Sequence, residues 1–396
     1  MSNLPRIILA KGKEHSLLRF HPWVFSGAVK KKADELADGD VVEVYSVQNE
    51  FLGTGHYQHG GSITVRIFSF EPVEVNLAFW EFKIGQAYNF RKTLGLTGNT
   101  KTNVYRLVFA EGDGLPGLVI DVYGGTAVLQ AHTIGMYRAR HEIAQAIKNV
   151  LGNDIQAVYD KSAESLSQKA PADALNGYLI GDEGSETIVS ENGNKFYVDW
   201  VNGQKTGFFV DQRENRELVA RYSPGKKVLN TFCYTGGFSV YALNAGAALV
   251  HSVDSSKRAI ELTERNAQLS GHGDKHEAFA IDTFDFLKKS LEEYDVVILD
   301  PPAFAKHLSA RHNAVMGYKR LNAEALKKMK PGSILFTFSC SQVVDKYLFE
   351  NTLMAAAIDA GRSIKVMHQL SQPADHPISI FCPEGEYLKG LVLYVE

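Results

Sequence analysis

The C-terminal half of the sequence alternates short apolar runs with amphipathic segments of helical length, and this alternation restricts the fold more than any other feature. From Lys227 onward each apolar run is rich in Val, Ile, Leu or Phe and breaks abruptly into polar or small residues. Strictly alternating strand and helix units predict an α/β fold, a parallel sheet with helices on both faces. The predicted strands are VLN, LVHSVD, HEAFAI, DVVILD and SILFTFS, the predicted helices lie near 236–245, 256–269, 283–291, 314–329 and 343–359, and two further strands, at about 362–369 and 388–395, complete the domain.

The residues before this pattern predict two further domains. From Arg6 to about Phe70, short strand-rich segments between Gly, Asp and Asn indicate a small β-barrel. The next segment combines an aromatic-rich helical pattern, several strands and a helix from about Met136 to Val150, which predicts an α+β domain. Asn192-Gly193 between alternating strands predicts a hairpin. The predicted domains are 1–72, 73–184 and 185–396.

Length, charge and cysteine usage limit the class of protein. A chain of 396 residues is long enough for two or three separate cores. Its apolar runs are far shorter than the roughly 20 residues of a membrane helix, and MSNLPRIILAKGKEHS has no signal-like apolar segment. Three widely spaced cysteines form neither a disulfide framework nor a metal-binding pattern. We therefore expect a cytoplasmic protein with no membrane partner and no metal.

Basic and aromatic residues crowd the first forty positions, although the formal net charge is only −3. Such a mixture suits phosphates and stacked bases. A solvated lysine-rich surface beside a core tryptophan would give the same pattern, so the alternative stays open. The residues are Lys11, Lys13, Arg19, Lys30, Lys31 and Lys32, with His15, His21, Trp23 and Phe25 among them.

The ends of the predicted parallel strands carry the candidate ligand-binding residues, because ligands bind at the carboxyl edge of such sheets. The turn Thr235-Gly236-Gly237 allows a close backbone approach. Asp254 is placed to accept hydrogen bonds from ribose hydroxyls, and Asp282 from an adenine amino group. Taken singly, each aspartate could equally cap a helix. Together, the three strand-end aspartates Asp254, Asp282 and Asp300 in register with a glycine turn favour a ligand-binding site.

A dinucleotide-binding enzyme is the first competitor for this pattern. Its G-x-G-x-x-G fingerprint is absent, since the turn reads NTFCYTGG and has no early glycine pair to admit a pyrophosphate. The sequence therefore favours an adenosine ligand without phosphates.

Several motifs together resemble class I S-adenosylmethionine-dependent methyltransferases: the turn NTFCYTGGFS, the strand-end acids, and DPPAF at 300–304. With HPWVF, FFVDQRENR at 208–216 and the SCS around Cys340, the whole chain is similar to the ribosomal RNA large-subunit cytosine-C5 methyltransferase family. The resemblance implies PUA, EEHEE and Rossmann-like domains, S-adenosyl-L-methionine as cofactor and ribosomal RNA as partner, and it leaves a homodimer open. The cofactor-binding residues that it implies are Asn230, Thr231, Phe232, Thr235, Gly236, Gly237, Asp254, Ser255, Asp282, Thr283 and Asp300.

Cys340 and Asp300 are the predicted catalytic residues, and the expected product is 5-methylcytidine in 23S ribosomal RNA. A cysteine thiolate that adds to C6 of cytosine raises the electron density at C5, which is otherwise a poor nucleophile. A carboxyl group that donates a proton to N3 eases this addition, so we expect a raised pKa for Asp300. The alternative for Cys340 is a small buried residue at the end of a core strand.

The predicted substrate-binding residues flank these two. Pro301 and Pro302 stiffen the loop and leave carbonyl groups free to face the base, and Phe304 could stack on it, although a core role fits equally. Asp211, Gln212 and Arg213 could position the methionine end of the cofactor or the RNA; alternatively Arg213 and Arg216 pair with Glu214 or Glu217 on a helix surface. The remaining predicted contact is Lys306, which could meet phosphate.

Two other functions stay open. Many RNA cytosine-C5 methyltransferases carry a second cysteine where this chain has Ala303. The D-P-P pattern also occurs in enzymes that methylate exocyclic amines, so a purine or amine methyltransferase without a cysteine nucleophile is the main alternative. A non-enzymatic RNA-binding protein with a degenerate Rossmann-like domain is the other.

Overall fold

The computed structural model describes residues 4–166, 174–305 and 307–396. The chain divides into two compact units. The first runs to Val189 and also contains Val198–Val210 and Ala374–Gly385. The second contains Ser190–Tyr197, Asp211–Pro373 and Glu386–Glu396. The three domain boundaries given above stay predictions.

The first unit begins with a six-stranded sheet in the order β2-β6-β5-β4-β1-β3. Its core is formed by inward-facing aliphatic side chains such as Ile7, Val44 and Ile67. The sequence did not predict β2 and β3, which are short strands at the two edges of the sheet, and β3 reads VKKK. The elements are β1 (Arg6–Leu9), α1 (His15–Leu18), β2 (Trp23–Phe25), β3 (Val29–Lys32), β4 (Val41–Tyr45), β5 (Phe51–Tyr57) and β6 (Ile63–Ser69).

The rest of the first unit contains a five-stranded sheet in the order β11-β10-β9-β8-β7. The helix predicted from Met136 to Val150 is two helices that meet at Ala139. Buried aliphatic and aromatic residues, with Trp80 the largest, join the helices to this sheet. The elements are α2 (Leu77–Thr93), β7 (Val104–Phe109), β8 (Leu118–Tyr123), β9 (Thr126–Ala131), α3 (Ile134–Arg138), α4 (Arg140–Leu151), β10 (Ala157–Asp160) and β11 (Gly177–Ile180).

A two-stranded hairpin follows, formed by β12 (Glu186–Glu191) and β13 (Asn194–Asp199). Asn192 and Gly193 between them have φ angles of 50° and 82°. Two consecutive residues with positive φ are what a tight hairpin turn requires, and Asn-Gly adopts them at low cost. The predicted hairpin is confirmed.

The second unit contains a seven-stranded sheet in the order β16-β15-β14-β17-β18-β20-β19. Its first five strands are parallel, and β20 pairs antiparallel with both β18 and β19. The elements are α5 (Arg213–Tyr222), β14 (Lys227–Thr231), α6 (Gly237–Asn244), β15 (Leu249–Asp254), α7 (Lys257–Leu269), β16 (His276–Ala280), α8 (Thr283–Phe286), β17 (Val296–Leu299), α9 (Arg311–Lys328), β18 (Ile334–Ser339), α10 (Lys346–Ala360), β19 (Ile364–Ser371) and β20 (Lys389–Val395).

The central strands are apolar on both sides because both faces of the sheet are covered. In β17, Val296 and Ile298 pack in one core with residues of α6, whereas Val297 and Leu299 pack in the other with residues of α9. This double burial explains why parallel strands read as continuous apolar runs. The predicted α/β fold, preceded by a β-rich and an α+β region, is confirmed.

Two further findings concern helices. The helix predicted at 283–291 is only the short α8, since Lys288, Lys289 and Ser290 are exposed and give no apolar face to bury. Among the described residues, no helix combines the length and the hydropathy that crossing a membrane would require.

Candidate active site

The strand order reverses between β14 and β17, so their carboxyl ends define the switch point of the sheet. The chain leaves β14 at Thr231 and β17 at Leu299, and these two residues are register partners. A crevice at this position is where open α/β sheets bind ligands. The predicted cofactor turn and the D-P-P sequence therefore start side by side.

The turn after β14 has an unusual backbone. Phe232, Tyr234 and Gly236 have φ angles of 53°, 47° and 76°, a region that residues with a Cβ rarely adopt. A Cβ on Gly236 would also lie 2.7 Å from Thr263 Cγ2. Hydrogen bonds hold the turn, since Thr263 Oγ1 donates to the Tyr234 carbonyl (2.7 Å) and Asn266 Nδ2 to that of Thr235 (2.8 Å).

Asp254, at the end of β15, fastens this turn to the neighbouring strand. Its carboxylate accepts hydrogen bonds from the backbone N–H of Tyr234 (3.0 Å) and of Ser256 (2.9 Å). Ser255, which directly follows Asp254 in the sequence, is exposed. A carboxylate held at the edge of the turn has lone pairs to spare for hydroxyl groups, so the predicted ribose contact stays a prediction that the geometry allows.

Other predicted cofactor residues are engaged inside the protein. Asn230 Nδ2 donates to Ser239 Oγ (2.9 Å), and Thr231 Oγ1 donates to the Ile298 carbonyl (2.8 Å), so both side chains brace the sheet. Asp282 is exposed and caps α8 by accepting from the N–H of Phe284 (2.8 Å), which is the helix-cap alternative considered above. Thr283 is buried.

Asp300 follows β17 and is half-buried. Gln212 Nε2 donates to its Oδ2 (3.0 Å), and Asn215 Nδ2 holds Gln212 through its Oε1 (2.6 Å). Burial, and secondly the negative charge of Asp211, raise the pKa of Asp300 to about 7. The raised pKa that the sequence analysis expected is therefore present.

Cys340 follows β18, is half-buried and packs against the core that contains Phe336 and Phe338. Its Sγ donates to the carbonyl of Pro301 at 3.9 Å and thus faces the D-P-P segment. Burial, followed by the charges of Asp300 and Asp211, raises the pKa of Cys340 to about 12. Pro301 is buried and Pro302 is exposed.

Two residues near this pair, Tyr387 and Lys389, were not among the predicted catalytic or substrate-binding residues. Asp211 accepts a hydrogen bond from the Tyr387 hydroxyl (2.6 Å) at Oδ2, while its buried Oδ1 has no partner. Lys389 is 6% exposed and donates to the carbonyl of Ser341 (2.7 Å). The available signal was a lysine at the second position of the strand predicted at about 388–395, within EYLKG.

The remaining predicted substrate-binding residues and their neighbour Arg216 differ in their surroundings. The Phe304 ring packs on Tyr318 with ring centroids 4.6 Å apart, which favours its core role. Arg213 is buried. The surface pairing of Arg216 with Glu214 or Glu217 is wrong, because Arg216 is buried and forms a two-pronged ion pair with Glu191 (2.8 Å for each contact). Lys306 lies outside the described residues.

These residues fit a cationic adenosine derivative. Asp254 ends β15 and Asp300 follows β17, so a ligand that reached across the switch point would meet a carboxyl group at each end, and Oδ1 of Asp211 has no hydrogen-bond partner among the described residues. A sulfonium ion is such a cation, and buried carboxylate oxygens without partners are otherwise unfavourable. Gly236 and Asp254 would hold the nucleoside part, and Asp211 would face the sulfonium part.

Comparisons with known proteins identify the family. A family described as S-adenosylmethionine-dependent methyltransferase matches residues 144–384, and a PUA-like domain matches residues 7–70. The chain is 40% identical to Ribosomal RNA large subunit methyltransferase I of Aeromonas hydrophila over 98% of each chain. With the protein of that name from Klebsiella pneumoniae the identity is 38%, over 100% of this chain and 99% of the other.

Solved structures support the fold. A protein of Streptococcus mutans gives a TM-score of 0.83 at 24% identity, over 98% of this chain and 99% of that one. A second solved chain, a complex with SAH, gives a TM-score of 0.84 at the same identity and coverage.

Proposed function

The chain belongs to the S-adenosylmethionine-dependent methyltransferase family, and on that premise we propose that it methylates cytosine C5 in 23S ribosomal RNA through a covalent Cys340 adduct. Its relatives in Aeromonas and Klebsiella match this chain over nearly their whole length. Both are named Ribosomal RNA large subunit methyltransferase I. The name gives the RNA class. The choice of cytosine C5 rests on the residues of the site.

The observation that carries the proposal is the direction of the Cys340 thiol. Its Sγ donates to the carbonyl of Pro301, the residue next to Asp300. A base that entered beside the D-P-P segment would present its ring to both the thiol and the carboxyl group. Cytosine is the base for which this combination is needed, since C5 attacks a methyl group only after C6 has been attacked.

S-adenosyl-L-methionine, when bound, supplies an electrophilic methyl group and leaves as the neutral thioether. Cys340 Sγ, as thiolate, forms a bond to C6 while the C5–C6 double bond opens and N3 takes the Asp300 proton. C5 then gains the methyl group. Loss of the C5 proton to water restores the double bond, the Sγ–C6 bond breaks, and N3 returns its proton to Asp300. Thiol and carboxyl group both end in their starting states.

One observation favours the alternative of an exocyclic-amine methyltransferase. The high pKa of Cys340 keeps the thiol neutral in the resting protein, and a neutral thiol is a weak nucleophile. An amine methyltransferase would need no thiolate, and would use Asp300 and the Pro301 carbonyl only as hydrogen-bond acceptors.

The test is mass spectrometry of nucleosides from protein-free 23S ribosomal RNA, taken from cells without the gene and incubated with enzyme and cofactor. We use protein-free RNA because the free energy needed to extrude a base is lowest where pairing and protein contacts are absent. We expect 5-methylcytidine with the unaltered protein and a loss on the order of a thousandfold or more with Cys340→Ser, because the nucleophile is gone.

Cys382→Ser is the matched control, since Cys382 is a buried cysteine of the other compact unit. It should retain activity. A methylated adenine or guanine as product, or a Cys340→Ser variant that works at the normal rate, would replace the cytosine-C5 proposal by the amine alternative.

A further inference from the structure

Lys389 is a buried cation at the reactive edge of the sheet. It is the first residue of β20 and pairs with Ser339, the last residue of β18. Because β20 runs antiparallel to β18, its start lies at the carboxyl edge where Cys340 leaves the sheet. The side chain then reaches along this edge, and its Nζ donates to the carbonyl of Ser341, the residue after Cys340.

This lysine has no structural counter-ion. Among the ion pairs between described residues none includes Lys389, and its only hydrogen-bond acceptor there is the Ser341 carbonyl. A lysine of which only 6% is exposed is costly to bury without an opposite charge. Buried charged groups in this situation cluster at functional sites.

Cys340 is the group that would gain from this cation. The negative charges that act on it come from Asp300 and Asp211, and both oppose ionisation of the thiol. Lys389 is the cation that acts in the other direction. Lys389 in turn is subject to the charges of Cys340, Glu386 and Asp345, and burial lowers its own pKa.

We infer that Lys389 is a positioning residue that supplies the positive charge needed to stabilise the Cys340 thiolate. The thiol proton leaves to water, Lys389 keeps its proton, and the ammonium and thiolate form a pair across the end of β18. This inference rests on the proposed function for its purpose, but the ionisation of Cys340 can be measured without any methyl transfer.

The experiment is alkylation of Cys340 in the full-length protein between pH 7 and 9, followed by mass spectrometry of the Cys340 peptide. Iodoacetamide reports the thiolate fraction. We expect Lys389→Gln, which keeps an N–H donor for Ser341 but has no charge, to slow the reaction about tenfold at each pH, the effect of one pKa unit. Lys389→Arg, which keeps the charge, should stay within about threefold of the unaltered protein.

A second reagent separates charge from structure. Iodoacetate is an anion of similar size, so removal of a nearby cation should slow it about threefold more than iodoacetamide. A merely structural change would slow both reagents equally. Lys365→Gln is the matched control, because Lys365 is an exposed lysine of the neighbouring strand β19, and neither rate should change.

Three outcomes overturn the inference: equal rates in Lys389→Gln and the unaltered protein, an equal loss for both reagents, or a loss in Lys389→Arg as large as in Lys389→Gln. Thermal unfolding and cofactor binding check that each variant is folded. If Lys389→Gln fails to fold, Lys389→Met removes the charge in its place and is judged by the same ratio of the two reagents. Failure of the cytosine-C5 proposal would appear in the RNA products of Cys340→Ser and leaves these alkylation rates unaffected.

Discussion

The carboxyl edge of the seven-stranded sheet has two halves that use the same residue types in different ways. On the half formed by β14, β15 and β16, Asp254 and Asp282 accept hydrogen bonds from backbone N–H groups. Cys233 is buried there, with its Sγ 3.6 Å from Thr263 Oγ1. On the half formed by β17, β18 and β20, Asp300 and Cys340 have strongly raised pKa values. The Sγ of Cys340 faces the carbonyl of Pro301, the residue after Asp300.

The difference lies in what surrounds each polar group. Backbone N–H groups stabilise the ionised form of a carboxyl group and turn it into a fixed structural acceptor. Among the described residues Asp300 has only the Gln212 side chain as donor, and it lies beside the like charge of Asp211, so its proton is retained near neutral pH. Under the proposed function, the first half would hold the cofactor and the second would move protons and form bonds.

The largest effect should follow from Asp300→Asn. The amide cannot release and recover a proton, so methyl transfer should fall by about 10²–10⁴-fold, the usual contribution of a general acid. Single-turnover rates with saturating cofactor would measure it. Asp282→Asn, an exposed aspartate that caps α8, should lose less than about threefold. Equal losses in the two variants would erase the distinction between the halves.

Asp254→Asn should act on the cofactor instead of the chemistry. The amide accepts less strongly from the Tyr234 and Ser256 N–H groups, and the loss of a charged hydrogen-bond partner costs about 1.5–3 kcal/mol, or roughly 10- to 100-fold in affinity. Titration calorimetry with S-adenosylmethionine would show it, with the exposed Asp274→Asn as control. If Asp300→Asn weakened cofactor binding more than Asp254→Asn, the two halves would have exchanged roles.

The pH dependence tests the reactive half alone. The active form needs Asp300 protonated, with a pKa of about 7, and Cys340 ionised, with a pKa of about 12. Below pH 7 the thiolate fraction rises about tenfold per pH unit while Asp300 stays protonated. Above pH 7 the loss of the Asp300 proton cancels this gain, so kcat/KM should rise and then level off near pH 7.

The Asp300→Asn variant should behave differently. Its amide has no proton to lose, so its residual kcat/KM should continue to rise through pH 7 without a break. Measurements from pH 5.5 to 9 on both proteins decide the matter. A plateau at the same pH in the variant would assign the ionisation to another group.

The sequence predicted which strand ends form this edge, but it did not predict every residue that lies there. Buried parallel strands leave a strong apolar pattern, and their ends place Asp254, Asp282, Asp300 and Cys340 on one edge by topology alone. Lys389 could not be placed in this way, because β20 enters the sheet antiparallel and its register with Ser339 is set by tertiary pairing.

The sequence also did not predict ion-pair partners that lie on other elements of the fold. Local spacing suggested that Arg216 pairs with a glutamate on its own helix, whereas it pairs with Glu191 on the hairpin strand β12. Burial decided this, since Arg216 lies inside against Gly237 and a buried guanidinium needs a full counter-charge. Helical periodicity carries no information about a partner on another element.

The smallest effect should come from Cys233→Ala, and it completes the comparison of the two halves. Cys233 lies in the cofactor turn, but only 6% of it is exposed and its Sγ contacts Thr263 Oγ1. Burial raises the pKa of this thiol far above its usual range, so it should neither react with iodoacetamide in the folded protein nor take part in methyl transfer. The alanine variant should keep methyl transfer within about threefold, with any loss confined to cofactor affinity or to a small decrease in thermal stability. Rapid labelling of Cys233 at the rate of Cys340 would mean that the turn opens in solution, and the division between a holding half and a reactive half would then depend on ligand binding.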